Sequence, residues 1–492
     1  MVQVNASVRV VGETDLSYST VLIGTPDTAH KVSDITLIQN VVESTIVEKV
    51  GYDCALGDMY KGFIAEDTNQ ETNLSIILLP VESNATPTKQ TFAFSGTAGA
   101  AGTISFRIFN EAGSYNFAMG ATAGEIVTGL VGKVNAIENC PFTASASSDS
   151  LVLTAKSVNS YYDTAKAVFM SSDSGITIAE AEIDEATGIA SLDDIKDFLD
   201  SNNVKFFTYL VQKGLDLEPL IEALKEYQTI NDQDMIGRLM TFEYNTYANL
   251  IANSQRYNKK FITLAGLKVG ALDITEDEVL GHLGGFLAMV LTDGIDITKY
   301  GLVRGSLSNA SLPYEECVFD GLALNDGAKF SKAELNNLTK NGVWTFYNNA
   351  AGNMAMKEFT TTMYMTTDGK PSNIYKKGQV DLCSNIALSY NFQTLKNQFP
   401  HSRLDALTKS AVKTRLSANY DVLSNQAKDN DTGKSYYVLD PEGKKDFQAS
   451  VEKNLKVNYV DGTITIDNVI NTVVAQLAII NLSFINKKYI GD

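Results

Sequence analysis

The chain is poor in the side chains that most often carry catalysis. Its 492 residues include three histidines, four cysteines and one tryptophan. His30, His282 and His401 form neither an HxxxH nor an HxH arrangement, so no histidine-built metal site is encoded. His282 stands four residues after Glu278 on a helix predicted to start at Thr275, a spacing that reads as a helix-surface pair. Cys54, Cys140, Cys317 and Cys383 are widely separated and contain no CxxC pair. They read as buried free thiols of a protein folded in a reducing cytoplasm.

Phosphate-binding and nucleophile motifs are missing too. There is no GxSxG elbow, and no GxGxxG lies between a strand and a helix. Gly433-Lys434-Ser435 comes nearest to a phosphate loop, but Lys428 stands where the first glycine is needed and no buried strand precedes it. Asp429 and Asp431 open like a calcium loop, yet Gly433 takes the fifth position and Lys434 the sixth, where a ligand and a glycine are required. Asp193-Asp194 sits at a helix start, where acids favour the helix dipole, and Glu315-Glu316 reads as a solvated loop. Trp344, on a predicted strand, reads as core. The expectation is a protein with no cofactor, no metal and no enzymatic activity.

Long apolar runs are also absent. None reaches the roughly 18 residues that suggest a membrane span, and the first residues lack a basic segment followed by an apolar stretch. Positive charge is the scarcer sign: 40 Lys and Arg against 58 Asp and Glu give a net charge of −18. That argues against general nucleic-acid binding and against anionic membrane surfaces. The pairs Lys376-Lys377, Lys444-Lys445 and Lys487-Lys488 read as solvated faces or as contacts to an acidic neighbour.

What the chain does have is a folded protein's balance, 44% hydrophobic and 20% charged, and length for several domains. Val2, Val4, Ala6, Val8 and Val10 alternate with polar residues, a strand pattern with no hairpin partner beside it. A backbone so encoded needs a partner from elsewhere in the chain or from another molecule. Gly12, Glu13, Thr14 and Asp15 break the pattern before the strand predicted over 16–24. A similar run, Ile479 to Ile485, lies near the other end.

Between these runs the pattern predicts α/β structure. A strand or extended segment is expected over 35–49, a helix over 54–64 and a buried strand over 74–81. Residues 84–174 turn rich in Gly, Ala, Ser and Thr, with short strands and a capping box at Thr122 and Glu125 opening a helix. Strand–helix alternation then resumes from Ser191 to about Leu291, which implies a mainly parallel sheet covered by helices. A second capping box, Ser331 with Glu334, precedes strands at 343–347 and 354–364. Helices are expected over 380–397, over 405–424 with a break near Ser417, over 445–453 and over 469–477. A hairpin on Asp461-Gly462 joins strands 455–460 and 463–466.

The order of these segments resembles the sheath proteins of contractile phage tails, those of Mu-like phages in particular, and of related contractile injection machines. Residues 51–53, Gly-Tyr-Asp, lie in a stretch similar to the family's first α/β part. "GTISFRIF", "TAGEIVTGLVGKVNAI" and "FTASASSDSLVLTAK" resemble the inserted β domain. "FSKAELNNLTKNGVWTFYNNAAGNMAMKEFTTTMY", 330–364, is the most specific match: Leu335 and Asn336 on a helix, Gly342, a strand, a turn, and a strand ending at Thr360 to Thr362. Met356-Lys357-Glu358 departs from the pattern, which often has an arginine there.

The resemblance implies an α/β multidomain chain, with a βαβ-rich sheath core, an inserted β-rich domain and extended terminal β-arms. Its parts would be a linker arm at 1–15, an α/β sheath domain at 16–83 and 175–345, an insertion at 84–174, a C-terminal sheath domain at 346–478 and a second arm at 479–492. It implies a structural subunit that polymerises around an inner tube through exchanged arms and contracts to drive the tube through a target envelope. The partners would be further copies, the inner tail tube, and baseplate and tail terminator proteins, with no nucleic acid and no membrane insertion. The place would be a virion tail assembled in a host bacterial cytoplasm. Val2, Val4, Ala6, Val8, Val10, Leu482 and Phe484 would make the inter-subunit contacts, Gly12 to Asp15 the hinge, and Val457, Tyr459, Ile464 and Ile466 the receiving sheet. The competing readings are a surface adhesion or capsid-associated structural protein with a receptor-binding β domain, and an α/β enzyme with an unrecognised site.

Overall fold

The computed structural model describes residues 19–483, except 69–71, 109–110, 138–139, 165–166, 230–236, 292–316, 320, 367–368, 371–377, 379–381, 384–385, 388–389, 392–393, 396–405, 425–426, 429–434, 437, 459–462, 467–469 and 476–477; residues 456–483 enter by backbone alone. The chain opens with β1 (Thr20–Gly24), β2 (Thr36–Ile38), α1 (Glu43–Lys49), α2 (Ala55–Glu66) and β3 (Leu74–Leu78). Next come β4 (Lys89–Gly96), β5 (Gly102–Ile108), β6 (Glu111–Phe117), α3 (Ala123–Asn135), β7 (Phe142–Ser147), β8 (Ser150–Ala155), α4 (Tyr161–Thr164), β9 (Val168–Ser171), β10 (Ile176–Ile178) and β11 (Glu182–Asp184). Alternation follows: α5 (Ile195–Asn202), β12 (Thr208–Val211), α6 (Glu218–Thr229), β13 (Arg238–Tyr244), α7 (Tyr247–Tyr257), β14 (Ile262–Leu267), α8 (Glu276–Leu291), α9 (Lys332–Lys340), β15 (Val343–Asn348) and β16 (Met354–Glu358).

An eight-stranded sheet, ordered β16-β15-β14-β13-β12-β1-β3-β2, forms the frame. It is parallel from β15 to β3, and β2 and β16 pair antiparallel at its edges. Its central strands are buried on both faces, which explains why they read as unbroken apolar runs. Side chains alternate between two cores. Leu22, Ile76 and Leu210 face the cluster beneath α2 and α8, while Val21, Ile77, Tyr209 and Val211 face that beneath α5 and α6. β1 lies between β3 and β12, so the strand order reverses there.

α8 is buried all round apart from Glu278. Glycines let α2 and α8 meet backbone to backbone. A Cβ on Gly62 would lie 2.0 Å from the Glu278 carbonyl oxygen, and one on Gly281 would lie 2.1 Å from that of Met59. Such an approach leaves no room for a side chain at Gly62 or Gly281.

Strands β4 to β11 enter the chain between β3 and β12 and build two small sheets around a separate apolar cluster. Phe169 sits at its centre, with ring centroids 4.8 Å from Phe92 and 5.7 Å from Phe106. α3 starts on the predicted box: Thr122 N donates to Glu125 Oε2 at 2.9 Å and Glu125 N to Thr122 Oγ1 at 3.4 Å. β7 is the outer strand of one sheet, and the Asn135 carboxamide caps it, bonding Ala144 N at 2.8 Å and Ala144 O at 2.9 Å.

Beyond β16 the described residues are mainly helical and include three hairpins. The described residues within 380–397 are helical in short runs, and helices span Ala406–Leu423 and Lys444–Asn454. The hairpins are β17 (Ala427–Lys428) with β18 (Ser435–Tyr436), β19 (Leu455–Asn458) with β20 (Thr463–Ile466), and β21 (Ile470–Ala475) with β22 (Ala478–Ser483).

Several expectations need correction. The helix over 469–477 is strand β21, because Ile470, Thr472, Val473 and Val474 are β-branched and find a partner in β22. The break near Ser417 does not occur, since one helix runs through it. The segment 35–49 is extended only over β2 and then turns into α1, whose Glu43 and Lys49 suit the two helix ends. The second strand of the 330–364 motif stops at Glu358. Trp344 is fully buried, and all four cysteines are buried free thiols.

Candidate functional site

In an open parallel sheet, ligands bind outside the carboxyl ends of the strands, where the order reverses. Here that point lies between β1 and β12, and the chain fills it. Gln212 follows β12 and its Oε1 accepts from Thr25 N at 2.7 Å, while its Nε2 donates to Thr25 Oγ1 at 3.2 Å. A Cβ on Gly24 would lie 2.3 Å from Gln212 Oε1, so the carboxamide occupies the space a side chain would take.

The segment leaving β8 closes over the same edge. Lys156 Nζ meets Asp53 Oδ2 at 2.8 Å, and Thr28 N donates to Lys156 O at 2.9 Å. Asn159 Nδ2 donates to Lys213 O and Ser160 Oγ to Gly214 O, each at 2.8 Å. Tyr161 and Tyr162 follow, both largely buried.

Acids at the start of α8 meet this edge from the other side. Asp277 Oδ1 accepts from Lys213 N at 2.9 Å, and Glu276 Oε1 accepts from Tyr244 N at 2.7 Å. Lys213 Nζ lies 3.5 Å from Glu276 Oε1. Asp58 Oδ2 accepts from Thr275 Oγ1 at 3.0 Å, and Lys61 pairs with its other oxygen at 3.0 Å. Burial, and then the neighbouring Asp58 and Glu276, hold the Asp277 carboxyl well above the usual range. Burial also raises Asp58 and Glu276. Burial and the charges of Glu276 and Asp277 push the Tyr161 hydroxyl up, so it stays protonated at neutral pH. Beside this cluster, between the ends of β12 and β13, lies an open cleft of about 480 Å³.

His282 is not paired along its helix. Its Nδ1 lies 2.8 Å from Glu66 Oε1 on α2, and both side chains are buried. The expected pairing with Glu278 fails because α8 turns His282 into the α2 crossing. No local signal encodes this contact. The crowding of Gly281, Gly284 and Gly285 around His282 did mark a close helix approach. Among the described residues no cluster of His, Cys, Asp or Glu suits a metal, and no helix is long and apolar enough to cross a membrane.

The expected assembly residues fall mostly elsewhere. Val2, Val4, Ala6, Val8, Val10, Gly12 to Asp15, Tyr459 and Phe484 lie outside the described residues, as does the 429–434 part of the phosphate-like loop. Val457 and Ile464 are cross-strand partners, and Ile466 opposes Leu455. Leu482 opposes Asn471 within the β21–β22 hairpin.

No protein-family model matches the chain, and no curated protein does. Among solved structures it is similar to a sheath tail protein from Desulfitobacterium hafniense, with 11% identity and a TM-score of 0.49 over 97% of this chain and 99% of that one. A sheath tail protein from Listeria innocua is similar at 11% identity and a TM-score of 0.41, over 82% of this chain and 84% of that one. A chain of the anti-feeding prophage baseplate aligns at 12% identity and a TM-score of 0.33, over 47% of this chain and 56% of that one.

Proposed function

We propose that this chain is a structural subunit of a contractile tail sheath. In this reading copies polymerise around an inner tube, join through exchanged terminal β-arms, and contract to drive the tube through a target envelope. The chain runs no catalysis and hydrolyses no nucleotide; the free energy comes from a metastable packing of copies. Strands β4 to β11 form an inserted domain that runs past the expected boundary at 174, because β10 and β11 pair with β4, and the sheath core is built from the segments on either side. Baseplate and tail terminator proteins complete the assembly, in a virion tail formed in the bacterial cytoplasm.

The observation that carries the reading is the segment 330–364. The family resemblance there is a sequence of elements: a helix, a glycine, a strand, a turn, a strand and paired threonines. In the fold these are α9, Gly342 at φ +80°, β15, the Asn349 turn, β16 and the buried Thr360 to Thr362. Gly342 is required, because a Cβ there would lie 2.6 Å from the Thr361 carbonyl oxygen.

Negative-stain microscopy of the purified chain tests the proposal. Striated hollow tubes are expected. A variant lacking residues 1–12 should stay folded and monomeric and form none. Tubes formed equally well by that variant would remove arm exchange from the reading, and an intact chain that never assembles would remove the sheath role.

A further inference from the structure

The inserted domain of β4 to β11 has its own apolar centre. Among the described residues that cluster shares no member with the two beneath the central sheet. Domains joined without a common apolar interface move relative to one another by default. What ties this one to the sheet is mostly polar and lies in two places.

The first is a neck of two extended segments. Thr86 N donates to Thr187 O at 3.2 Å, and Thr187 N to Thr86 O at 3.0 Å. On the sheet side of this bridge stand the exposed Glu82, Ser83 and Asn84, and Gly188 at φ +64°. On its other side Asp163 Oδ1 accepts from Thr88 Oγ1 at 2.6 Å and from Ala186 N at 2.9 Å. Gln90 Nε2 donates to Tyr162 O at 3.1 Å, so α4 is fastened to the inserted domain.

The second is the segment 156–161, which leads from β8 into α4. It grips the sheet edge chiefly by side chains laid on backbone, Asn159 on Lys213 O and Ser160 on Gly214 O. The Tyr161 hydroxyl adds a bond to the Glu276 carboxyl. Gly214, at φ +94°, makes the approach possible, since a Cβ there would lie 2.1 Å from Asn159 Oδ1. Val158 brings an apolar side chain, buried near Pro26, Val32, Leu79 and Val81. Two ion pairs fasten the joint from outside. The side chains of Lys156 and Asp53 are 28% and 36% exposed, and those of Arg107 and Asp273 are 49% and 58% exposed. Pairs this exposed are weak and screened by salt.

We propose that residues 156–161 are a releasable strap, and that the inserted domain swings as one body on the neck at Thr86 and Thr187 when the strap leaves Lys213 and Gly214. The bonds that break are few and can be remade to water. Those that hold the inserted domain together, including Asp163 to Thr88 and Ala186, stay intact. Release bares the backbone carbonyls at the end of β12, so the strap sets access to the carboxyl edge of the central sheet.

Single-molecule energy transfer on the full chain tests this. Dyes on Ser145→Cys and Ser201→Cys, both exposed, report where the inserted domain sits, and the four native thiols are buried. The parent at low salt should give one dominant transfer efficiency. Asn159→Ala combined with Ser160→Ala should raise a second population by about tenfold or more, the loss of two hydrogen bonds. Raising the ionic strength from about 0.05 M to about 0.5 M should shift the parent the same way. Lys156→Ala combined with Arg107→Ala should remove that salt dependence. Hydrogen exchange at the amides of β5 and β8 should stay as slow as in the parent throughout, which shows the inserted domain intact. A single unchanged efficiency in every variant and at every salt overturns the strap. Opening that comes only with loss of protection in β5 and β8 overturns it too, because the segment is then part of the domain's own fold.

Discussion

His282 on α8 holds Glu66 on α2 at 2.8 Å, Nδ1 to Oε1, across 216 positions of sequence and out of reach of solvent. The pair lies where the two helices cross at glycine distance, so no water can replace either partner. His282→Ala removes one buried partner of the Glu66 carboxyl and should cost about 1–3 kcal/mol of stability. Glu66→Gln keeps a hydrogen-bonding oxygen and should cost less. Denaturant unfolding of the two variants checks the ranking; equal midpoints would remove the pair from any structural role.

The same crossing gives a contrast between two glycines in helices. Gly281→Ala places a methyl 2.1 Å from the Met59 carbonyl oxygen, so α2 and α8 must separate. Overpacking of this kind costs about 1–3 kcal/mol. Gly132 is exposed on α3, and a Cβ there meets nothing within 4 Å. Gly132→Ala should stabilise by about 1 kcal/mol through helix propensity alone. Thermal melts of the two variants should move in opposite directions.

How far such features could be read beforehand depends on how local their causes are. The boxes at Thr122 and Ser331 were legible because both partners lie three residues apart, and both form. The parallel sheet was legible because central strands are apolar on both faces. Residues 469–477 misled because Val469, Val473 and Leu477 also fit a helical spacing, and only pairing with β22 decides for strand. The acid cluster was not legible. Asp58, Glu276 and Asp277 come from two distant helices, and nothing near Asp58 in sequence announces that α8 will bring like charges against it.

Asp277 makes that cluster measurable through pH. Burial first, and then Asp58 and Glu276, raise its pKa in the folded protein above the unfolded value. The native state then binds the proton more tightly, so this contribution to stability is present at low pH and is lost as pH rises through the interval between the ordinary and the raised value. Asp277→Asn keeps an oxygen to accept from Lys213 N and removes the ionisation. The variant should lose less stability than the parent as pH rises above the ordinary aspartate range of about 4. Unfolding midpoints measured over that rise check it, and parallel curves would show that Asp277 does not titrate with folding.

Asn135 offers the last test, of an edge rather than a core. Its carboxamide takes both backbone groups of Ala144 on β7, standing in for the strand that the sheet lacks on that side. Asn135→Ala frees one donor and one acceptor on an outer strand. Two hydrogen bonds are lost, each worth about 0.5–1.5 kcal/mol, so the folded protein should weaken by about 1–3 kcal/mol. The freed edge should also pair with foreign strands. Light scattering at raised concentration should therefore show association of Asn135→Ala in a variant that also lacks residues 1–12, under conditions where the truncated parent stays monomeric. If the doubly changed chain scatters like that parent, the carboxamide supports the fold without guarding its edge.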